Sequence, residues 1–272
     1  MSGFSSVVTE LPSALASIND IIARIDDKRL AVFLDYDGTL TPIVDRPELA
    51  VLSEDMRATL KRLARVCTTA VISGRALADV KQLIDVAGVF YAGNHGLEIA
   101  GPRHTQIKYE RGLEYLDVVD NAYDMIQSQV GHIDGILIEH KQFSLSVHYR
   151  LVTDSEVAGI EAAIDDVIAN EPRLCKQNGK KVFEIRPRID WDKGKAVLWL
   201  LDALALDADK VIPLYIGDDV TDEDAFRALK ERGIGIRVMG EPTSSQAHYR
   251  LRDPAEVLMF LDALATAAEV TQ

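Results

Sequence analysis

Cysteine is scarce in this sequence, with two among 272 residues, Cys67 and Cys175, far apart and outside any C-x-x-C pattern. That spacing offers neither a disulfide framework nor a zinc site, so both thiols read as small core residues of a reduced, cytoplasmic protein. Long apolar runs are also missing. No stretch reaches the roughly 18 apolar residues of a membrane span. The opening residues, MSGFSSVVTELPSAL, lack the basic start and apolar stretch of a secretory signal, and read as a short tail leading to a helix over 14–25. Basic residues are in deficit: 30 Lys and Arg against 43 Asp and Glu give a net charge of −13. This argues against nucleic acid and anionic membranes as partners. Repeats, low-complexity tracts and Pro/Gly-rich linkers are absent, so two domains would be joined by short crossings. What is present, 47% hydrophobic and 27% charged, suits a globular chain with one large domain or two modest ones.

The acids are not evenly spread. Residues 30–43 read LAVFLDYDGTLTPI, an apolar strand running into Asp35 and Asp37 and then a Gly-Thr turn at Gly38 and Thr39. A buried parallel strand is a continuous apolar run, and ligands gather beyond its carboxyl end. Carboxylates at i and i+2 point the same way, which suits one nucleophile and one general acid/base beside Mg²⁺. A second apolar strand, 211–216, ends in Gly217, Asp218 and Asp219, with Asp222 in the next turn: oxygen ligands for a hard cation. Thr221 and Asp224 make a candidate capping box there. The strand 69–72 leads into Ser73-Gly74-Arg75, a hydroxyl and backbone N–H groups suited to phosphate oxygens. Before the last strand, Asp192-Lys193-Gly194-Lys195 opens a helix and brings a point positive charge.

These four segments, DxDGT, a strand-end Ser, Lys-Gly and GDDxxD, in this order resemble the haloacid-dehalogenase superfamily of aspartate-nucleophile phosphatases. The segments YAGNHGLE (91–98), Glu139-His-Lys141 with Tyr149-Arg150, and GKKVFEIRP (179–187) narrow the resemblance to the trehalose-6-phosphate phosphatase family, as do DYDGTLTPI and GDDVTDEDAF. The resemblance spans about residues 30–260, with no core position departing from the family pattern. It leaves no room for the glycosyltransferase domain that some members carry in front, so a stand-alone phosphatase is expected.

Hydrophobic periodicity places these motifs in an α/β fold. Strand and helix alternate over 30–107 (strands 30–35, 68–72, 89–91 and 97–99; helices 53–66 and 76–84). They alternate again from 188 (helices 193–205, 221–231 and 254–267; strands 211–216 and 234–238). The expectation is a doubly wound parallel-sheet core, HAD-like and Rossmannoid, made of 1–107 and 188–272. Residues 108–187 read instead as an inserted α/β cap: helix 112–130, strands 135–140 and 143–150, helix 155–169 and strand 181–186. Thr153 and Glu156 form a candidate capping box. Strand 143–150 alternates Phe143, Leu145, Val147 and Tyr149 with Ser144, Ser146, His148 and Arg150, so helices can cover one face and leave a polar face to roof the site.

The family resemblance implies the chemistry. Asp35 would attack the 6-phosphate to give an aspartyl-phosphate, and Asp37 would protonate the leaving sugar and then activate water. Mg²⁺ would sit on Asp35, Asp218 and the Asp37 backbone carbonyl, with Ser73 and Lys193 on the phosphoryl group; Lys193 precedes the Gly and is preferred to Lys195. Asp219 and Asp222 would support the metal, unranked between them. Sugar contacts are implied at Glu139, Lys141, Arg150, Lys180 and Glu184. Arg75 adds to the basic pocket, and Asn94 and His95 sit on a Gly-flanked loop near the seam between core and cap. The expected partner is a small sugar phosphate, and the chain is expected to work as a monomer. Two alternatives stay open: a phosphatase of another sugar phosphate such as sucrose phosphate, and a non-catalytic sugar-phosphate sensor.

Overall fold

The structure, a computed structural model, describes residues 11–25, 28–239 and 244–271; the expected tail over 1–10 lies outside them. The chain opens with α1 (Ile18–Ile25), β1 (Arg29–Leu34), α2 (Glu54–Val66), β2 (Thr68–Ile72), α3 (Leu77–Ile84) and β3 (Phe90–Gly93). Helix α2 starts where Ser53 Oγ accepts a bond from Met56 N at 3.2 Å, and it buries Met56, Leu60 and Leu63 along one stripe. Short strands β4 (Glu98–Ala100) and β5 (Lys108–Glu110) follow. Next come α4 (Leu116–Val130), β6 (Leu137–Lys141), β7 (Ser144–His148), α5 (Asp154–Asn170), β8 (Leu174–Gly179) and β9 (Val182–Pro187). The chain closes with α6 (Lys193–Ala203), β10 (Val211–Gly217), α7 (Glu223–Leu229), β11 (Ile234–Val238), β12 (Tyr249–Leu251) and α8 (Pro254–Thr271).

Eight strands form one sheet in the order β12-β11-β10-β1-β2-β3-β4-β5, parallel from β12 to β3 and antiparallel beyond. Past the exposed Arg29, strands β1 and β10 are apolar because both faces are covered. On one side Val32 and Leu34 meet Ile21, Leu60, Ile84 and Phe260 of α1, α2, α3 and α8. On the other, Ala31 and Phe33 meet Val197, Leu200 and Phe226 of α6 and α7. This is the doubly wound α/β sheet expected. A second, antiparallel sheet has the order β6-β7-β9-β8. One of its faces packs Leu145, Val147, Phe183 and Ile185 against Ile126 of α4 and Ile160 and Ile164 of α5. Among the described residues no helix is long and apolar enough to cross a membrane.

Several expectations need correction. Strands β8 and β12 were not anticipated: β8, LCKQNG, has one fully buried apolar residue and owes its form to its partner β9. Strand β5, also not anticipated, pairs with β4 at the edge of the large sheet. The helices expected from 112 and 221 each begin with a single 3₁₀ turn, Leu113–Tyr115 and Val220–Asp222. Neither expected capping box forms. Thr153 makes no side-chain cap and faces Ser155 Oγ, while Asp219 and Asp222 take the box foreseen for Thr221 and Asp224. Lys180 is not on a strand with Glu184 but in the tight turn between β8 and β9, beside Lys181 at φ 67°. The Ser144 and Ser146 face is buried, because it looks onto the large sheet: Ser144 Oγ lies 3.2 Å from Asn94 Oδ1.

Candidate active site

Adjacent strands β1 and β10 end side by side, and Asp35 N donates to Ile216 O at 2.9 Å. The buried carboxylates of Asp35 and Asp218 therefore emerge together at the carboxyl edge, where strand order reverses. Asp222, fully buried, completes the cluster: one oxygen atom from each acid lies within 4.8 Å of the others. Lys193 opens α6 after its N-cap Asp192, and its Nζ lies 2.7 Å from both Asp35 Oδ1 and Asp222 Oδ1. Lys195 pairs with Asp190 at the surface. Of the two lysines, Lys193 is the one that reaches the acids.

Asp222 is fully engaged. Its Oδ1 also accepts from Tyr215 Oη at 2.7 Å, and its Oδ2 from Asp219 N at 2.8 Å. Burial pushes the Asp35 carboxyl well above its ordinary value; Lys193 opposes this, and Asp222 and Asp218 add to it. Asp218 is pushed up to about 6 by burial, against the opposing charge of Lys180, whose ammonium reaches over from the second sheet to pair with it. Three carboxylates so close need more positive charge than one buried lysine, and the half-exposed Lys180 adds a second. An all-oxygen donor set of this kind fits a hard divalent cation, with Asp35 and Asp218 as its open ligands. The Asp37 side chain stands apart from the cluster.

The turn after β1 makes room for this. Gly38 has φ +80°, and a Cβ there would fall 2.3 Å from Asp218 Oδ2. Asp37 turns aside to Arg75, which grips it with two 2.8 Å bonds and also reaches Asp79 and Pro47 O. Arg75 is thus committed to Asp37 rather than open to a ligand. Ser73 is buried at the end of β2, and its Oγ accepts from Arg75 N at 3.1 Å. His95, at φ 56°, packs its ring over Gly74; neither ring nitrogen has a hydrogen-bond partner. Burial drives its pKa well down, helped by Arg186, Lys193 and Lys141, so the ring is neutral. Asn94 Nδ2 is held by Glu98 at 2.8 Å.

Across a cavity of about 360 Å³ the second sheet presents Glu139, Lys141, His148, Arg150, Lys180 and Glu184 to Asp35, Asp37, Ser73, His95, Lys193 and Asp218. Lys141 Nζ stands between Glu139 at 3.9 Å and Glu184 at 3.7 Å. Ser146 Oγ donates to Glu184 Oε1 at 2.7 Å, and Glu184 Oε2 is buried without a partner. Arg150 donates to Lys180 O at 2.9 Å, which ties it to the turn. The sequence reading did not select His148 or Tyr215. For His148 a signal existed, because it shares the polar face of its strand.

A divided sheet edge carrying acids, faced by a second sheet, is a haloacid-dehalogenase-like fold. The chain superposes on a haloacid-dehalogenase-like hydrolase from Bacteroides thetaiotaomicron with a TM-score of 0.61, 18% identity and coverage of 89% of this chain and 99% of that one. On the C-terminal domain of C. albicans trehalose-6-phosphate phosphatase the TM-score is 0.79, at 23% identity over 94% and 99% of the two chains. These likenesses speak to the fold. Sequence goes further: the trehalose-phosphatase family profile matches residues 33–255. Probable trehalose-phosphate phosphatase 2 of Oryza sativa subsp. japonica is 41% identical over 285 residues, 96% of this chain and 75% of that protein. The chain belongs to the trehalose-phosphatase family and is a phosphoric monoester hydrolase.

Proposed function

We propose that this chain hydrolyses trehalose 6-phosphate to trehalose and phosphate, in two steps through Asp35, with Mg²⁺ as its metal. The observation that carries the reading is the cavity itself: Asp35, Lys193 and Asp218 on one wall, and Glu139, Lys141 and Glu184 on the other. In the first step an Asp35 oxygen bonds to phosphorus as the phosphorus–sugar oxygen bond breaks, and Asp37, released from Arg75 and protonated from solvent before the cap closes, passes that proton to the leaving oxygen. In the second, Asp37 takes a proton from water as that water attacks phosphorus and frees Asp35. Lys193 holds Asp35 in line, and its charge, with the Ser73 hydroxyl and turn N–H groups, faces the phosphoryl oxygens. Bound at Asp35 and Asp218, Mg²⁺ would neutralise charge on the transferring phosphoryl group. Arg75 holds Asp37 at the cavity wall, a positioning role in place of the substrate contact expected from sequence.

The second unit, from α4 to β9, acts as a cap in this reading. Its carboxylates accept from sugar hydroxyls, Lys141 donates, and contact between its sheet and the core excludes bulk water during transfer. Arg150 acts through the Lys180 turn, and Lys180 exchanges Asp218 for the ligand as metal and substrate enter. The two half-buried free thiols suit a reducing, cytoplasmic setting.

Phosphate release from trehalose 6-phosphate, glucose 6-phosphate and sucrose 6-phosphate, measured side by side with Mg²⁺, tests the substrate. The first is expected to give the highest kcat/KM; equal rates on all three would remove the disaccharide from the account. Glu139→Ala and Glu184→Ala should each raise KM for trehalose 6-phosphate, at a cost of about 1.5–3 kcal/mol per charged hydrogen bond. Both should leave p-nitrophenyl phosphate hydrolysis nearly unchanged, since that small leaving group does not reach the cap; parallel losses on both substrates would point to a folding role. Gly38→Ala should lower kcat/KM by roughly tenfold or more, because its Cβ displaces Asp218 and the residue is strained at positive φ. Wild-type rates in that variant would mean that Asp218 is not held where catalysis needs it.

A further inference from the structure

We propose that His148 is a positioning residue for sugar recognition: its ring fixes the Glu139 carboxylate so that one oxygen stays turned to the cavity. This rests on the reading of the second sheet as the sugar-binding roof. In the β6–β7 pairing Leu137 lies opposite His148, and Glu139, two residues along β6, shares its face of the sheet. The two side chains are therefore diagonal neighbours. His148 Nε2 stands 2.5 Å from Glu139 Oε2, a direct contact between ring nitrogen and carboxylate oxygen.

The surroundings make this contact decisive. Lys141 approaches the same Oε2 only to 3.9 Å and is drawn equally to Glu184 Oε1 at 3.7 Å. His148 is thus the one close donor on Glu139 among the described residues. The His148 bond and the more distant Lys141 charge both fall on Oε2, which leaves Oε1 for a ligand. Burial pushes the Glu139 carboxyl up, and the His148 bond and the Lys141 charge outweigh it, so the group stays an ionised acceptor. Such an acceptor selects a hydroxyl donor over a second anion. A glutamate left to rotate would have to be ordered at each binding event, which weakens binding without touching the chemistry.

The test uses steady-state kinetics of the Mg²⁺-loaded full chain on trehalose 6-phosphate and p-nitrophenyl phosphate, for wild type, His148→Ala, His148→Gln, Glu139→Ala and the Glu139→Ala/His148→Ala pair. His148→Ala should raise KM for the sugar phosphate roughly tenfold, the scale of one charged hydrogen bond, with p-nitrophenyl phosphate turnover unchanged. His148→Gln, which keeps an N–H at the place of Nε2, should restore most of the loss. In the Glu139→Ala background the His148 change should add less than about twofold, because the two residues act as a unit. Equal losses on both substrates, no recovery with Gln, or fully additive effects would each overturn the proposal. A wild-type enzyme with no preference for trehalose 6-phosphate over glucose 6-phosphate would overturn the sugar reading itself. A preference that persists beside an unchanged KM in His148→Ala would overturn the role of His148 alone.

Discussion

Asparagine in place of Asp35 is expected to abolish turnover and leave the fold intact. The amide keeps the shape and can still accept from Lys193, so the β1 edge and the first turn of α6 should stay as they are. What disappears is the nucleophilic oxygen and one negative charge. Removal of a nucleophile that acts together with its neighbours costs more than roughly a thousandfold. Phosphate release under saturating substrate measures the loss, and circular dichroism with a thermal scan measures the fold. Activity above a few per cent of wild type would reject Asp35 as the attacking group.

Loss of the metal should be as severe for activity and mild for stability. Excess chelator is expected to stop phosphate release, and added Mg²⁺ to restore it. The acids would then rely on Lys193 and Lys180 for compensation, and both already touch the cluster. A ligand held at a hundred times its Kd adds about 2.7 kcal/mol, so the thermal midpoint should fall by several degrees rather than collapse. Full turnover after exhaustive chelation would reject metal dependence, and unfolding on chelation would make the cation structural.

Much of the core was legible because local pattern and burial agree there. The runs in β1, β2 and β10 are apolar since both sheet faces are covered, and the residues just past them are the acids and the serine of the site. The α/β class and the convergence of Asp35, Asp218 and Lys193 follow from that, while the family was legible only through the resemblance of its motifs. What stayed hidden depends on partners distant in sequence. Strand β8 is polar and exists through β9; β12 is three residues long and exists through β11. Spacing put Lys180 beside Glu184, whereas a two-residue turn sends it to Asp218. Arg75 looked like an anion-binding side chain, and only the fold brings Asp37 and Asp79 to it. Asp222 could not be ranked against Asp219 from sequence. In the structure Asp222 is the buried one, braced by Tyr215 and Lys193.

The most direct test of the account is to trap the phosphorylated enzyme. The chain with Mg²⁺ is mixed with trehalose 6-phosphate labelled at phosphorus, quenched in acid within the first turnover, and its peptides are sequenced for the label. The account predicts an acyl-phosphate on Asp35, absent from Asp35→Asn and far weaker when glucose 6-phosphate is the donor. Label on any other residue, no label while phosphate is still released, or equal labelling from both donors would contradict it.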